Sequence, residues 1–484
     1  MSDSLRSKTI KGAGWSFIEN ISNQGIAFLI GIVLARLLSP TEYGLIGIIT
    51  IFTALFDTIV DSGFTNALIR KHDADDKDFN TVFVSNLLIS IALGLLLFFC
   101  APLISEFFKQ PELTPLTRAM SCIIIINALC IVQRVMLTKR LDFKKLTKIS
   151  VAATTISGVV GILMAFYGYG VWSLVMQQIV SRVMQMTLLF VFNRWKPSLT
   201  FSRGSFKELF GFSWKILVSS IINNIWKQVY TIVIGKCYTV DTLGLYSRAR
   251  HMSELPSVNL TNVVQRVSFP ALSNIHDDNQ RQKQAYIKVI KLTMYVTFAC
   301  MLGMAACAKS LIMVLIGEQW LPCVPYLQII CFQMMLYPLH AINLNMLQIK
   351  GRSDLFLIIE IVKKIIGVIP ILLGVFVGIY WMLFSSVIIG FFDYWINSYY
   401  SGRLINYSFG EQVKDILPSF FVSSTMSVVV FGMSYVHVSE YILLPLQFIV
   451  GIGIIVALSR VFRLQEYWEI KNIVLTTLKK KNNG

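Results

Sequence analysis

The sequence predicts an all-α polytopic membrane protein of about fourteen transmembrane helices, arranged as two parallel six-helix lobes followed by two extra C-terminal helices. Composition, the distribution of charge and an internal repeat predict this class. Of 484 residues, 55% are hydrophobic and 14% charged, against about 25% charged in ordinary soluble domains, and mean hydropathy is +0.65. A spanning helix needs roughly 20 apolar residues, so fourteen would use about 280, close to the apolar fraction of the chain. That excludes a soluble globular enzyme and leaves no length for a separate extramembrane domain.

Taken in order, apolar stretches of spanning length fall at approximately 12–37, 43–68, 80–107, 115–138, 147–167 and 170–192. A second set falls at 211–238, 244–272, 286–308, 320–348, 355–377 and 380–401, with two more at 416–436 and 440–460. The basic N-terminus leads into an apolar stretch that runs past residue 35 without a small-residue cleavage signal, so it reads as a first spanning helix and not a signal peptide. The stretch 244–272 is polar for a span, and a Pro/Gly-rich break at 308–320 separates two helices. Pro40, Pro256, Pro270, Pro338 and Pro370 lie within or at the ends of spans, where they bend or break helices.

Charge tests this topology independently. Net charge is +17, and the eight Cys form no CxxC pair, so redox or metal use has little support. With the N-terminus inside, the inner segments hold 29 Lys/Arg, while the outer loops hold five: Arg36, Lys109, Arg118, Lys236 and Lys309. Cytoplasmic loops collect Lys and Arg. The excess therefore predicts cytoplasmic termini, and it explains the net charge without nucleic acid.

The repeat pairs LARLLSPTEYGL at 34–45 with IGKCYTVDTLGL at 234–245, an offset of 200. Gly14-Trp15-Ser16 also pairs with Gly211-Phe212-Ser213, and Gly170-Val171-Trp172 with Gly378-Ile379-Tyr380. Each copy is six helices long, so both enter the membrane from the same side, giving lobes at 1–200 and 201–405 and a remainder at 406–484. Two such lobes around a central cavity form a transporter architecture.

Nine basic residues fall inside the spans: Arg134, Arg182, Lys215, Lys227, Arg248, Arg250, Arg266, Lys363 and Lys364. Six acidic ones join them (Glu19, Asp57, Asp61, Glu254, Glu360 and Asp393), leaving a balance of +3 that suits an anionic ligand. Each such charge costs about 2.5–3.5 kcal/mol at mid-membrane, so most should face a cavity or a partner. Glu360 with Lys363 and Lys364, and Arg250 with Glu254, have the spacing of ion pairs within one helix. Lys215 can snorkel to the interface. Lys227, with Asn223 one turn before it, and Arg266, sharing a face with Asn259 and Asn262, are candidate substrate-binding groups. Arg182, flanked by Gln178 and Gln185, and Arg248 join them. Glu19 sits in a polar patch with Asn20 and Asn23. Asp57 and Asp61 stand one turn apart, where two carboxylates repel unless protonated or paired. These three acids are candidate coupling carboxylates, with pairing to Lys227 or Arg266 as the alternative.

Catalytic motifs are missing: there is no GxxxxGK[ST], no HExxH, and the five His are scattered, so neither catalysis, a metal nor a cofactor is expected.

The opening KGAGWSFIENISNQGIAFLIGIVLARLLSPTEYGLIGI, the following DSGFTNALIR, the mid-chain GLYSRARHMSELPSVNLTNVVQRVSFPALS and IGEQW at 316–320 carry a resemblance. The chain resembles the polysaccharide transporters of the multidrug/oligosaccharidyl-lipid/polysaccharide (MOP) flippase superfamily, the Wzx-type flippases of O-antigen and capsule assembly. The similarity covers most of residues 10–400. It implies a MATE-like fold and translocation of an undecaprenyl-diphosphate-linked oligosaccharide across a bacterial inner membrane, with the bilayer, a polysaccharide polymerase and chain-length machinery as expected partners. The alternatives are a drug or cation antiporter of the same fold, for which the +3 balance has the wrong sign, and a membrane polymerase or ligase acting on the same lipid.

Overall fold

The computed structural model describes residues 3–482 apart from 62, 72, 194 and 276, and the regular structure among them is helical. The chain divides into two compact units, residues 1–244 and 245–484.

The first unit contains α1 (Asp3–Leu37), α2 (Pro40–Asp61), α3 (Phe64–Arg70), α4 (Asp76–Phe108), α5 (Leu113–Lys139), α6 (Phe143–Phe166), α7 (Trp172–Asn193) and α8 (Arg203–Cys237). The most deeply packed of these is α5, which lies against α2, α4 and α7, while α1 packs on α6 and α6 on α7. Although α8 begins the second sequence repeat, it packs on α2, α3 and α4. The first turn of α9 (Val240–Ser273) joins it there. Thr41 Oγ1 donates a hydrogen bond to Asp241 Oδ1. A Cβ on Gly44 would overlap the Val240 carbonyl, and one on Gly244 the Pro40 carbonyl, so this approach of backbones requires glycine at both positions. The sequence repeat therefore meets itself: positions 40–44 lie against positions 240–244.

The second unit holds the rest of α9, followed by α10 (Asn279–Ala306), α11 (Ala308–Leu315), a 3₁₀ turn (Glu318–Cys323), α12 (Val324–Met334) and α13 (Tyr337–Ile349). α14 (Ser353–Ile366), α15 (Val368–Phe376), α16 (Ile379–Ile405), α17 (Phe409–Gly432), α18 (Glu440–Val461) and α19 (Gln465–Asn482) complete it. Pro338 stands in the first turn of α13 and Pro370 in the first turn of α15, so the breaks before both helices coincide with prolines singled out in the sequence. Pro256 and Pro270 lie inside the single helix α9. α17 packs on α10 and α18 on α11 and α17, so the two helices outside the repeat form part of this unit. The basic C-terminal segment forms α19, tied to α10 by Lys288–Glu469 at 2.9 Å and Lys291–Glu466 at 3.2 Å.

Among the described residues, side-chain caps start six of the helices: Asp75 for α4, Asp142 for α6, Ser202 for α8, Thr239 for α9, Asp278 for α10 and Ser408 for α17. Each satisfies a backbone N–H that the helix itself cannot. Asp75 with Asp78, and Ser408 with Glu411, close reciprocal capping boxes.

Among the described residues, ten helical segments are long and apolar enough to cross a membrane, and α1 adds the shorter apolar run Ile21–Leu37. Phe99, Ile388 and Val428 are about 70% exposed, on helices whose apolar surface suits lipid and not water. The expected spans 211–238, 244–272 and 355–377 form as α8, α9 and the broken pair α14–α15, outside those ten. α8 and α9 are 35 and 34 residues long, ample to span, but they carry several charges each.

Candidate functional site

In the first unit, α1, α2, α5, α6 and α7 bring several of their intramembrane polar groups together. Asn23 Nδ2 on α1 donates to Ser150 Oγ of α6 at 2.9 Å, and Ser150 Oγ donates to Glu19 Oε1 at 3.0 Å. Thr154 Oγ1 also donates to Asn23 Oδ1 at 3.4 Å. The side chain of Asn20 lies outside the described residues. On the other side of the group, Arg182 Nη2 of α7 lies 3.9 Å from Asp57 Oδ2 of α2, and Arg182 Nη1 donates to Asn127 Oδ1 of α5 at 3.4 Å. Arg134 Nη2 of α5 donates to Gln185 Oε1 of α7 at 3.3 Å, and its charge acts on Glu19, Asp57 and Asp61. Asp61, at the end of α2, accepts from Thr65 Oγ1 across the break before α3.

The two adjacent aspartates therefore have different neighbours, which relieves the repulsion their spacing implies. The Asp57–Arg182 pair is long and partly open, with the side chains 23% and 33% exposed. Asp57 Oδ1 is buried and has no hydrogen-bond donor among the described residues.

The remaining candidates lie on α8 and α9. Asn223 and Lys227 stand on an exposed face of α8. Between them, Asn224 Nδ2 donates to Thr58 Oγ1, fixing this stretch of α8 against α2 one residue from Asp57. Arg266 and Asn262 are likewise exposed on α9, whereas Asn259 is half-buried and turns its amide onto the Leu255 carbonyl at 2.7 Å. Arg248 is only 7% exposed, with its charge acting on His251 and Cys323. Of the intrahelical pairs expected from spacing, two form: Arg250 Nε to Glu254 Oε1 at 2.7 Å and Lys363 Nζ to Glu360 Oε1 at 2.8 Å.

Sequence reasoning did not single out Arg134 or Asn127 as site residues. A signal exists, since they stand seven apart on α5 and so share a helix face.

Long apolar helices with lipid-suited exteriors, broken helices and a group of interacting arginines and carboxylates within the first unit define a polytopic membrane protein. The fold is the one seen in the lipid II flippase MurJ in an inward closed conformation (TM-score 0.74, 16% identity, 94% of this chain and 98% of that one). It is shared by an inward-facing multidrug resistance MATE family transporter of the MOP superfamily (TM-score 0.60, 15% identity, 80% and 98%). The chain belongs to the family described as polysaccharide biosynthesis protein, whose pattern matches residues 33–325. Among its relatives are the succinoglycan biosynthesis transport protein ExoT of Rhizobium meliloti (strain 1021), 29% identical over 66% of this chain and 65% of that protein, and the lipopolysaccharide biosynthesis protein WzxC of Escherichia coli (strain K12), 26% identical over 77% and 76%. The teichuronic acid biosynthesis protein TuaB of Bacillus subtilis (strain 168) is 24% identical over 89% of this chain and 90% of its own length.

Proposed function

We propose that this protein is a flippase that moves a polyprenyl-diphosphate-linked oligosaccharide from the cytoplasmic to the outer leaflet of a bacterial inner membrane, with both termini cytoplasmic and fourteen spans. The observation that carries the reading is the placement of Lys227 and Arg266, exposed on α8 and α9, two helices of spanning length that are too charged to be surrounded by lipid. Exposed cations at that depth suit an anionic ligand, and a diphosphate headgroup is one. The family and the names of its relatives, which concern polysaccharide, lipopolysaccharide and succinoglycan synthesis, narrow that anion to a glycan carrier.

In this reading Lys227 and Arg182 are the cations the first unit offers a diphosphate and Asn223 its hydrogen-bonding group for the glycan, Arg266, Asn259 and Asn262 are the corresponding groups of the second unit, and the polyprenyl tail stays in lipid. Arg248, 7% exposed, is the most enclosed of the candidate cations. The repeat lobes at 1–200 and 201–405, with 406–484 as an appendage, expose the charged groups to the two sides of the membrane in turn. No covalent chemistry is required, and a polymerase with chain-length machinery consumes the product.

Lipid extraction from a strain lacking the gene, followed by mass spectrometry of polyprenyl-diphosphate glycans, tests the reading. A complete repeat unit should accumulate on the cytoplasmic side. Intact surface glycan without accumulation would instead favour a drug or cation antiporter.

A further inference from the structure

α18 is an apolar helix of spanning length that ends at Val461. Just beyond it Arg463 takes a left-handed backbone, with φ 51°, and the chain turns into α19. One face of α19 is used inside the second unit. Tyr467 and Ile470 pack in one apolar cluster with Tyr295, Ile455 and Leu458, while Glu466 pairs with Lys291 and Glu469 with Lys288 of α10. Ile455 and Leu458 belong to the last two turns of α18. The start of α19 therefore lies back beside the end of the span, at the depth where a bilayer has its headgroups.

Those contacts settle which face is left outward. Trp468, Lys471 and Leu475 stand three and four residues apart, on the side of α19 turned away from Glu466 and Ile470. Trp468 and Leu475 are 44% and 45% exposed. Both acids at the start of α19 are engaged by lysines of α10, and residues 470–484 hold four lysines and no acid.

Cations and rings interleave around this corner. Arg460 Nε donates to the Tyr467 hydroxyl at 3.2 Å, and its guanidinium lies 5.9 Å from the centre of that ring. The Tyr467 and Trp468 rings are 5.4 Å apart, edge to face, and Lys471 Nζ stands 4.9 Å over Trp468. One positive group thus closes each end of an aromatic pair. Arg463 is exposed between α18 and α19. Among the described residues no ion pair engages Arg460, Arg463 or Lys471.

An amphipathic helix beside a span, with a tryptophan at headgroup depth and cations around it, complements phospholipid phosphate. In a zwitterionic headgroup the phosphate charge is already cancelled, so a surplus of unpaired cations selects an anionic lipid. A soluble polyanion would satisfy the cations but leave Trp468 and Leu475 in water.

We propose that the corner between α18 and α19 is a binding surface for anionic phospholipid. Arg460, Arg463 and Lys471 take the headgroup phosphates, and Trp468 and Leu475 enter the layer beneath them. This surface serves no step of glycan transport and requires only that α18 spans the membrane.

Fluorescence of the full-length protein in phosphatidylcholine vesicles containing brominated lipid tests it, with Trp468 read as the wild-type minus Trp468→Phe difference. Brominated phosphatidylglycerol should quench that signal more strongly than brominated phosphatidylcholine at equal mole fraction, and raised salt should reduce the excess. Lys471→Gln and Arg463→Gln should each weaken the apparent affinity for phosphatidylglycerol about fivefold, whereas Lys471→Arg should retain it. Equal quenching by the two lipids overturns the proposal. So does an affinity for phosphatidylglycerol that both glutamine variants leave unchanged. A Trp468 signal that neither lipid quenches places this face in water and overturns it as well.

Discussion

Gly44 and Gly244, two hundred residues apart, face each other so closely that a Cβ on either would overlap the backbone of the segment carrying the other. Between them Thr41 and Asp241 are joined by a hydrogen bond. The packing of α8 and the start of α9 on α2 therefore depends on two glycines at repeat-related positions.

Gly44→Ala and Gly244→Ala should each destabilise the protein, because the obstructing atoms are backbone and cannot rotate away. Overpacking of this kind costs about 1–3 kcal/mol. Since both substitutions damage the same contact, the double variant should fall well short of the sum. Thermal unfolding in detergent measures all three, and strict additivity would show that the two positions do not share a contact.

Lys227→Ala should abolish surface polysaccharide while the protein remains inserted and folded. Its side chain lies on an exposed face of α8, and exposed substitutions usually change stability by no more than about 0.5 kcal/mol. Normal polysaccharide in this variant removes Lys227 from the site.

Arg182→Ala should reduce flipping of a lipid-linked glycan in proteoliposomes. A hydrogen bond to a charged group contributes about 1.5–3 kcal/mol, so the apparent affinity should fall roughly 10- to 150-fold. Arg182→Lys keeps the charge but loses the planar fork that also reaches Asn127 and should recover only part of the activity. Wild-type transport by Arg182→Ala would leave Arg182 a purely structural partner of Asp57.

Lys71 is a matter of stability alone. Its ammonium bridges Asp78 at 2.9 Å and Glu208 at 3.0 Å, and those bonds, Asp78 foremost, hold its pKa above the ordinary lysine value. A raised lysine stabilises fully below its unfolded value and loses that contribution only as pH climbs through the folded one, so the bridge is intact at neutral pH. Lys71→Met leaves the Asp78 carboxylate, 3% exposed, without its cation, at a cost of about 1–3 kcal/mol. The variant should melt lower than wild type at neutral pH, with the difference shrinking under strong alkali; an equal melting temperature would show that the bridge contributes nothing.

The apolar runs, the repeat and the ion pairs within single helices were legible because each is written in local spacing. Pro338 and Pro370 marked real breaks for the same reason. The neighbours of Asp57 were not legible: Arg182 lies on a helix brought near α2 by α5, and which spans adjoin is decided by packing of faces that are all apolar. Arg134 was legible as an intramembrane cation but not as part of the site, because the groups it meets lie on other helices. Its reach toward Glu19, Asp57 and Asp61 appears only when α1, α2 and α5 are assembled.

The Thr41–Asp241 bond is one that two identical copies could not make with each other. A contact between repeat-related positions is the contact a symmetric dimer makes with itself at its two-fold axis, where one codon supplies both partners. Such a dimer could set only threonine against threonine or aspartate against aspartate there, and the second choice brings two like charges together. In a single chain the two positions are separate residues, so a hydroxyl donates to a carboxylate, while Gly44 and Gly244, pressed backbone to backbone, have no such latitude.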